Sequence, residues 1–200
     1  MKATASIREA RCGDAAGIAQ VHVDAWRTTY RGIVPDDHLA NLSVARRERF
    51  WAEVTCDATR GEFVYFAEDA DNQIVGFASG GPERTGHAEY KGELYAIYLL
   101  AAYQQQGIGR RLSAAVAARL LRNGFDTMLL WVLADNPSRR FYEALGGQVV
   151  MSQLITLGGV ALEEVAYGWK DLTALTIGRI LKYRSAVNSL QRMAKSACAD

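Results

Sequence analysis

Two glycines in the middle of the chain occupy a position where backbone could bind an anion. Gly107 and Gly109 follow a β-prone apolar run and directly precede a helical pattern. A glycine-rich turn between a strand and a helix lets backbone amides converge on an anion at the helix N-terminus. The alternative is structural, since glycine also lets a helix start close against a sheet. Both interpretations stay open on this pair alone.

The charges around these glycines favour the anion site. Residues 101–123 contain no Asp or Glu, whereas Arg110 and Arg111 fall in the first predicted helical turn. The helix macrodipole disfavours cations there by about 0.3–1 kcal/mol each, and a bound polyanion would reverse that cost. The segment lacks GxxxxGK[ST], and Leu112 stands where a dinucleotide fingerprint has its third Gly or Ala. The sequence therefore indicates some other phosphate-bearing ligand.

Alternating strands and helices must position this turn. Apolar periodicity predicts a first helix capped by Asp14, and the Gly and Pro content of residues 30–41 predicts a loop. A stripe at spacing four predicts that Ile108, Leu112, Val116 and Leu120 face the core. Strands are predicted at 6–10, 63–68, 74–78, 93–100, 128–133, 149–157 and 160–169, and further helices at 43–54, 108–122 and 138–145. These elements predict one mixed sheet.

The turn and its neighbours resemble a known family. Gln104-x-x-Gly107-x-Gly109 resembles the Q/R-x-x-G-x-G/A motif of the GNAT superfamily of N-acetyltransferases, whose loop binds the pyrophosphate of acetyl-CoA. In the same chain order, residues 93–99 resemble the family's fourth strand, 141–146 its FYExLG segment and 157–159 the start of its closing hairpin. The segment from Trp26 to Pro35 resembles one seen in many bacterial members. The resemblance covers about residues 5–170.

The resemblance implies a fold, a co-substrate and a set of binding residues. The fold is α/β (α+β), with a mixed, mostly antiparallel sheet of seven strands flanked by helices and splayed near residues 97–100. Acetyl-CoA is the implied co-substrate, without a metal. Asn136 is one residue out of the family's common register, so a turn at the start of a helix is an alternative role. The implied coenzyme-binding residues are Ile97, Leu99, Gln104, Gln105, Gly107, Ile108, Gly109, Arg110 and Asn136.

Two side chains are implied to carry catalysis. A protonated amine of pKa about 10 cannot attack a thioester, so a base or a water chain must remove its proton. Glu93 is the candidate, and period two would place it on one strand face with Ile97 and Leu99, along the acyl-donor cleft. A strand-end acid or a partner for an arginine is the alternative. Tyr142 is the implied acid that protonates the departing thiolate, with aromatic packing as its alternative role.

The sequence says less about the acceptor amine and about other binding partners of the protein. Trp26, Tyr30 and the segment 32–39 are expected to select the amine, a small molecule or a peptide. The 23 Lys and Arg against 22 Asp and Glu give a net charge of +1, so no nucleic acid partner is expected, and no membrane span is predicted. The alternative functions are a non-catalytic acyl-CoA sensor and an interaction protein whose basic tail docks on nucleic acid or membrane.

Composition suggests where the protein works and how the chain divides. Three cysteines in no CxxC pair predict reduced thiols and a cytoplasmic location. Residues 1–175 are expected to form the acetyltransferase-like domain. Residues 176–200 carry five basic residues against one acid and apolar residues near helical spacing, which predicts an amphipathic tail helix packed on its own domain or on a twin subunit in a homodimer.

Overall fold

The computed structural model describes residues 5–176, and seven strands of this part pair into one sheet. The spatial order of the strands is β1-β2-β3-β4-β5-β7-β6, and only β4 and β5 are parallel. The predicted mixed, mostly antiparallel sheet is therefore confirmed. In chain order the strands are β1 (Ser6–Glu9), β2 (Phe63–Glu68), β3 (Ile74–Pro82), β4 (Gly92–Leu99), β5 (Met128–Leu133), β6 (Gln148–Leu157) and β7 (Val160–Trp169).

The helices are α1 (Ala15–Thr29), α2 (Asp36–Ala40), α3 (Val44–Cys56), α4 (Ile108–Arg122) and α5 (Arg139–Ala144). Helix α2 lies inside the stretch predicted as a loop. Pro35 precedes the first turn of this helix, and its fixed φ suits a helix start. Asp36 and Asp37 lie within that turn, where their negative charges interact favourably with the helix macrodipole. Ser43 caps α3 by accepting a hydrogen bond from the Arg46 amide.

Two local expectations were wrong. The carboxylate of Asp14 does not cap α1; it accepts two bonds of 2.9 Å from the Arg8 guanidinium and one of 2.7 Å from the Arg11 amide. Strand β3 does not end at the predicted residue 78 but continues to Pro82. Its glycines permit a close approach, since a Cβ on Gly80 would lie 2.8 Å from the Glu93 carbonyl oxygen.

Helices cover both faces of the sheet. Helix α4 packs on one face, with the predicted stripe of Ile108, Leu112, Val116 and Leu120 buried. Helices α1 and α3 pack on the other, where Ile18 and Trp51 are part of a separate apolar cluster. Burying one Ile, Leu or Val side chain completely, as in these clusters, stabilises a fold by about 1.5–3 kcal/mol. A third cluster joins the α1–α2 region to β5 and the β6–β7 hairpin.

Two of the cysteines are not free thiols. A disulfide joins Cys12, in the turn before α1, to Cys56 at the end of α3, with Cα atoms 4.8 Å apart. The expectation of reduced thiols is wrong for this pair because the α1–α3 packing brings together residues 44 positions apart. Cys198 and the predicted tail helix lie outside the described residues. Between residues 5 and 176, every helix is too short or too polar to cross a membrane.

Candidate active site

A cleft opens where the two parallel strands separate. Strands β4 and β5 are paired only through Gly92–Met128 and Glu93–Leu129. Beyond these pairs the strands diverge around a cavity of about 520 Å³. Its lining brings together most of the residues predicted to bind the coenzyme: Ile97, Leu99, Gln104, Gln105, Gly107, Gly109, Arg110 and Asn136, with Tyr30 and Tyr142.

The turn before α4 presents unpaired backbone amides. Among the described residues, no acceptor receives a hydrogen bond from the amides of residues 105–110, whereas the flanking amides of Gln104 and Arg111 bond the carbonyls of Ala101 and Gly107. Gln105 and Gly107 have left-handed φ angles of 58° and 75°. These unpaired N–H groups lie at the N-terminus of a 15-residue helix, a position that favours a bound anion. The amides fit a pyrophosphate group of a coenzyme.

The arginines of this turn have different positions. Arg110 lines the cleft, and its guanidinium donates at 3.4 Å to the carbonyl of Ala144. Arg111 points away from the cleft and donates at 2.6 Å to the carbonyl of Ala5. Only the first of the two predicted cations therefore faces the cleft.

The open edge of β4 offers a second set of backbone groups. The Leu100 amide bonds the Val75 carbonyl on the β3 side. Because backbone groups of successive strand residues point to opposite edges, those of Leu99 and Ile97 face the cleft. The Gln104 side chain confirms this direction for Leu99, since its Nε2 donates at 3.3 Å to the Leu99 carbonyl oxygen. An extended ligand arm fits between this edge and β5.

Helix α5 places Tyr142 in the cleft wall. The side chain is 5% exposed and packs against the rings of Phe141 and Tyr167, with centroids 5.3 and 5.8 Å away. Burial, with a smaller effect of the neighbouring Tyr30 and Tyr167, raises the pKa of Tyr142 well above its usual value. The phenol is therefore protonated at neutral pH, as a proton donor must be.

Asn136 connects the cleft to the acceptor side. Its Oδ1 accepts at 2.8 Å from the Ser138 amide, and its Nδ2 donates at 3.3 Å to the Tyr30 hydroxyl. Asn136 therefore has the alternative role in the turn at the start of α5, and its side chain also lines the cleft. Burial raises the pKa of Tyr30, although its hydrogen bonds with Tyr98 and Asn136 act in the opposite direction.

Glu93 does not line the cleft, although the next two residues, Leu94 and Tyr95, do. Its side chain is 2% exposed and pairs with Arg84, which reaches both carboxylate oxygens with its guanidinium and bonds Oε2 with its backbone amide at 3.2 Å. Arg84 lies nine residues earlier in the β3–β4 connection and was not identified from the sequence. Glu93 is absent from the cleft lining. A general-base role for Glu93 stays a prediction, and its surroundings match the alternative of an arginine partner.

The strand face expected for Glu93 was wrong. A β-bulge opposite Gly80 shifts the register of β4, so the side chains of β4 do not alternate evenly. Leu94 and Ile97, three residues apart, both pack on the α4 side together with Leu99. Glu93 precedes Leu94 and therefore belongs to the opposite face. Periodicity could not find this bulge because the extra residue leaves no mark in the apolar pattern.

Trp26 does not line the cleft, although Tyr30, one turn later on α1, does. The centroids of the two rings are 4.7 Å apart, so Trp26 packs against Tyr30 without lining the cleft itself. Tyr98 on β4 contacts the same region and lines the cleft. In the described part of the chain, no three His, Cys, Asp or Glu side chains are grouped so that they could hold a metal ion.

Comparison with known proteins assigns this arrangement to a family. The model of the acetyltransferase (GNAT) family matches residues 19–147. Over 170 residues the chain is 45% identical to the Bacillus subtilis protein named Uncharacterized N-acetyltransferase YuaI, which covers 85% of this chain and 95% of that protein. The chain belongs to the GNAT family of acetyltransferases. The predicted family and the predicted enzyme class are thereby confirmed.

Solved structures share the fold at low sequence identity. PaiA N-acetyltransferase from Thermoplasma acidophilum, solved in complex with coenzyme A, has a TM-score of 0.64 at 20% identity, over 80% of this chain and 98% of that chain. YncA from Salmonella typhimurium, solved with its cofactor acetyl-CoA, has a TM-score of 0.62 at 22% identity, over 84% of this chain and 94% of that chain. The GNAT fold predicted for this chain is therefore confirmed.

Proposed function

We propose that this protein transfers the acetyl group of acetyl-CoA directly to the primary amine of a small molecule or peptide in a ternary complex. The observation that carries the proposal is the run of unpaired amides at residues 105–110, at the mouth of a cleft that continues between β4 and β5. Such amides next to a helix N-terminus match a pyrophosphate, and the cleft matches the extended arm that follows it.

The pyrophosphate, the pantetheine arm and the acetyl group of the coenzyme each have a proposed partner. The amides of Gln105 through Arg110, with Ile108 at the start of α4, bind the pyrophosphate, and Gln104 braces the turn through Leu99. The open backbone edge at Ile97 and Leu99 holds the pantetheine arm and polarises the acetyl carbonyl. Asn136 contacts the arm from the side of β5. When bound, acetyl-CoA supplies an activated thioester.

The chemical steps left to the protein are proton movements. The attacking amine must lose a proton, and the departing thiolate must gain one. Tyr142 is the proposed donor because its protonated phenol faces the cleft. The amine loses its proton to Glu93 or to a water chain, and the ion pair of Glu93 with Arg84 favours water.

The acceptor is proposed to enter from the α1–α2 side. Tyr30 lines the cleft there, Trp26 packs behind it, and residues 32–39 contact the β6–β7 turn, where Gly158 lies against Pro35 and His38. The proposed acceptor entrance is thus formed by α1 and residues 32–39 on one side and by the β6–β7 turn on the other. A cytoplasmic location, a homodimer and a separate tail at 176–200 stay predictions.

Two measurements on the wild-type protein test the proposed function. Calorimetric titration with acetyl-CoA and with CoA should give dissociation constants below about 1 mM. Thiol release should then be followed with a panel of polyamines, amino acids, aminoglycosides and peptide N-termini. Coenzyme binding without turnover on any amine would instead identify a non-catalytic acyl-CoA sensor. Absence of coenzyme binding would overturn the proposal.

Gly109 offers a specific test of the coenzyme site. A Cβ at this position would lie 3.2 Å from Phe141 Cζ, so the larger side chain of a Gly109→Leu variant would extend into the cleft. We expect the dissociation constant for acetyl-CoA to rise about tenfold or more, equivalent to about 1.4 kcal/mol. Gly13→Ala is the matched control, because a Cβ there meets no atom within 4 Å. Equal affinities in the two variants would place the coenzyme elsewhere.

A further inference from the structure

A cluster of nitrogen donors lies beyond Tyr98, between α1 and α3, and the coenzyme site does not use it. His22 is 5% exposed, and its Nδ1 accepts a hydrogen bond of 3.2 Å from Trp51 Nε1. Burial, with a smaller contribution from the charge of Arg47, lowers the pKa of His22 to about 3. The ring is therefore neutral with its proton on Nε2. In the described part of the chain this buried N–H has no hydrogen-bond partner, whereas the Trp26 indole N–H interacts with the Tyr98 hydroxyl.

Arg47 adds a cation to the same cluster. Its guanidinium carbon lies 6.0 Å from the centre of the Trp26 ring, and the side chain is half-buried. No carboxylate of residues 5–176 lies within ion-pair distance of it. Burial lowers the pKa of Arg47, and the Tyr98 phenol is the group that opposes this effect. Burying a guanidinium without a carboxylate partner costs free energy, and an anion that binds from solution would offset this cost.

The position of the cluster connects it to the acetyl-transfer cleft. Tyr98 lines the cleft and also contacts the His22 and Trp26 rings, with centroids 5.1 and 6.3 Å away. Tyr98 is therefore the side chain that an acceptor held in the cleft would have to pass to reach Arg47. The buried N–H of His22, which has no partner among the described residues, makes this end more electropositive.

We propose that Arg47 binds a carboxylate of the acceptor, so that the substrate is an amine that also carries a carboxylate, as an amino acid does. The inference rests on the proposed function and names its substrate class. The planar guanidinium matches a carboxylate with two parallel hydrogen bonds. One carboxylate neutralises the charge of Arg47, whose guanidinium lies over the Trp26 ring.

Matched acceptors and variants test the inference. L-Amino acids are compared with the amines formally obtained by removing their carboxylate, under saturating acetyl-CoA. We expect the wild-type protein to prefer the amino acids, and Arg47→Gln to raise their KM about tenfold or more, with the KM of the decarboxylated amines changed by less than about twofold. Arg49→Gln, an exposed arginine of the same helix, is the control and should behave as wild type. Arg47→Lys should recover part of the loss because it retains the charge.

The outcomes separate this inference from the proposed function. Preference for amines without a carboxylate, or an unchanged KM in Arg47→Gln, overturns the role of Arg47 but leaves acetyl transfer intact. Preference for phosphorylated amines replaces the carboxylate by a phosphate and also overturns it. If the panel contains no good acceptor, N-acetylglycine and N-methylacetamide are titrated into the CoA-loaded protein. Binding of N-acetylglycine alone, lost in Arg47→Gln, supports the inference, and failure of N-acetylglycine to bind contradicts it.

Discussion

Replacing Tyr142 with phenylalanine should lower kcat by about 10²-fold or more while the dissociation constant of acetyl-CoA changes little. The variant removes the hydroxyl but keeps the ring that packs against Phe141 and Tyr167. The effect should fall on kcat because the proton is needed only when the thiolate departs. Stopped-flow thiol release and calorimetry with CoA measure the two quantities separately.

The pH dependence sharpens this prediction. An ordinary tyrosine has a pKa of about 10, and burial raises that of Tyr142 further. The wild-type phenol therefore stays protonated as the pH rises from about 7 to 9, and the ratio of wild-type to Tyr142→Phe activity should stay constant over that range. Tyr65→Phe is the control, since Tyr65 does not line the cleft and its hydroxyl bonds Glu9 and Arg122. An unchanged kcat in Tyr142→Phe would assign Tyr142 to packing alone.

Replacing Glu93 with glutamine should cost mainly stability. The buried carboxylate loses its charge, and Arg84 loses a bidentate partner. Removing one member of a buried pair costs about 3–5 kcal/mol, and the 57% exposure of the Arg84 side chain reduces this to about 2–3 kcal/mol. For a domain of this size the midpoint temperature should fall by about 5–10 °C, as measured by calorimetry or circular dichroism.

The same variant distinguishes the two roles of Glu93. If Glu93 anchors the β3–β4 connection, kcat per folded molecule should stay within about threefold of wild type. Lys170→Ala removes an exposed ion pair with Glu89 and should change stability by less than about 1 kcal/mol. A loss of about 10²-fold in kcat at normal stability would make Glu93 the general base although it does not line the cleft.

Local patterns predicted the elements around the coenzyme turn well. The β5 and α4 bounds follow from apolar runs that end at clear breaks, and the glycines at 107 and 109 lie at the turn where the unpaired amides are found. These features depend on neighbours within a few residues. Periodicity and glycine placement are therefore sufficient to find them.

Contacts between segments that are distant in the chain could not be predicted from local sequence patterns. The partnership of Glu93 with Arg84 depends on the path of the β3–β4 connection, and the Cys12–Cys56 pair depends on how α1 packs on α3. The bulge in β4 depends on its register with β3. Arg47 and His22 illustrate the same limit, because their separate patterns describe two amphipathic helices and not the space between them.

The shortness of the β4–β5 pairing affects the whole sheet. Two residue pairs are the direct connection between the strands that precede the cleft and the three strands β5, β7 and β6 that follow it. A coenzyme bound between these edges would join the two parts and supply hydrogen bonds that neither strand finds in the other. The free energy of coenzyme binding would then oppose separation of the two parts of the sheet. The co-substrate would therefore also raise the free energy of unfolding of the protein.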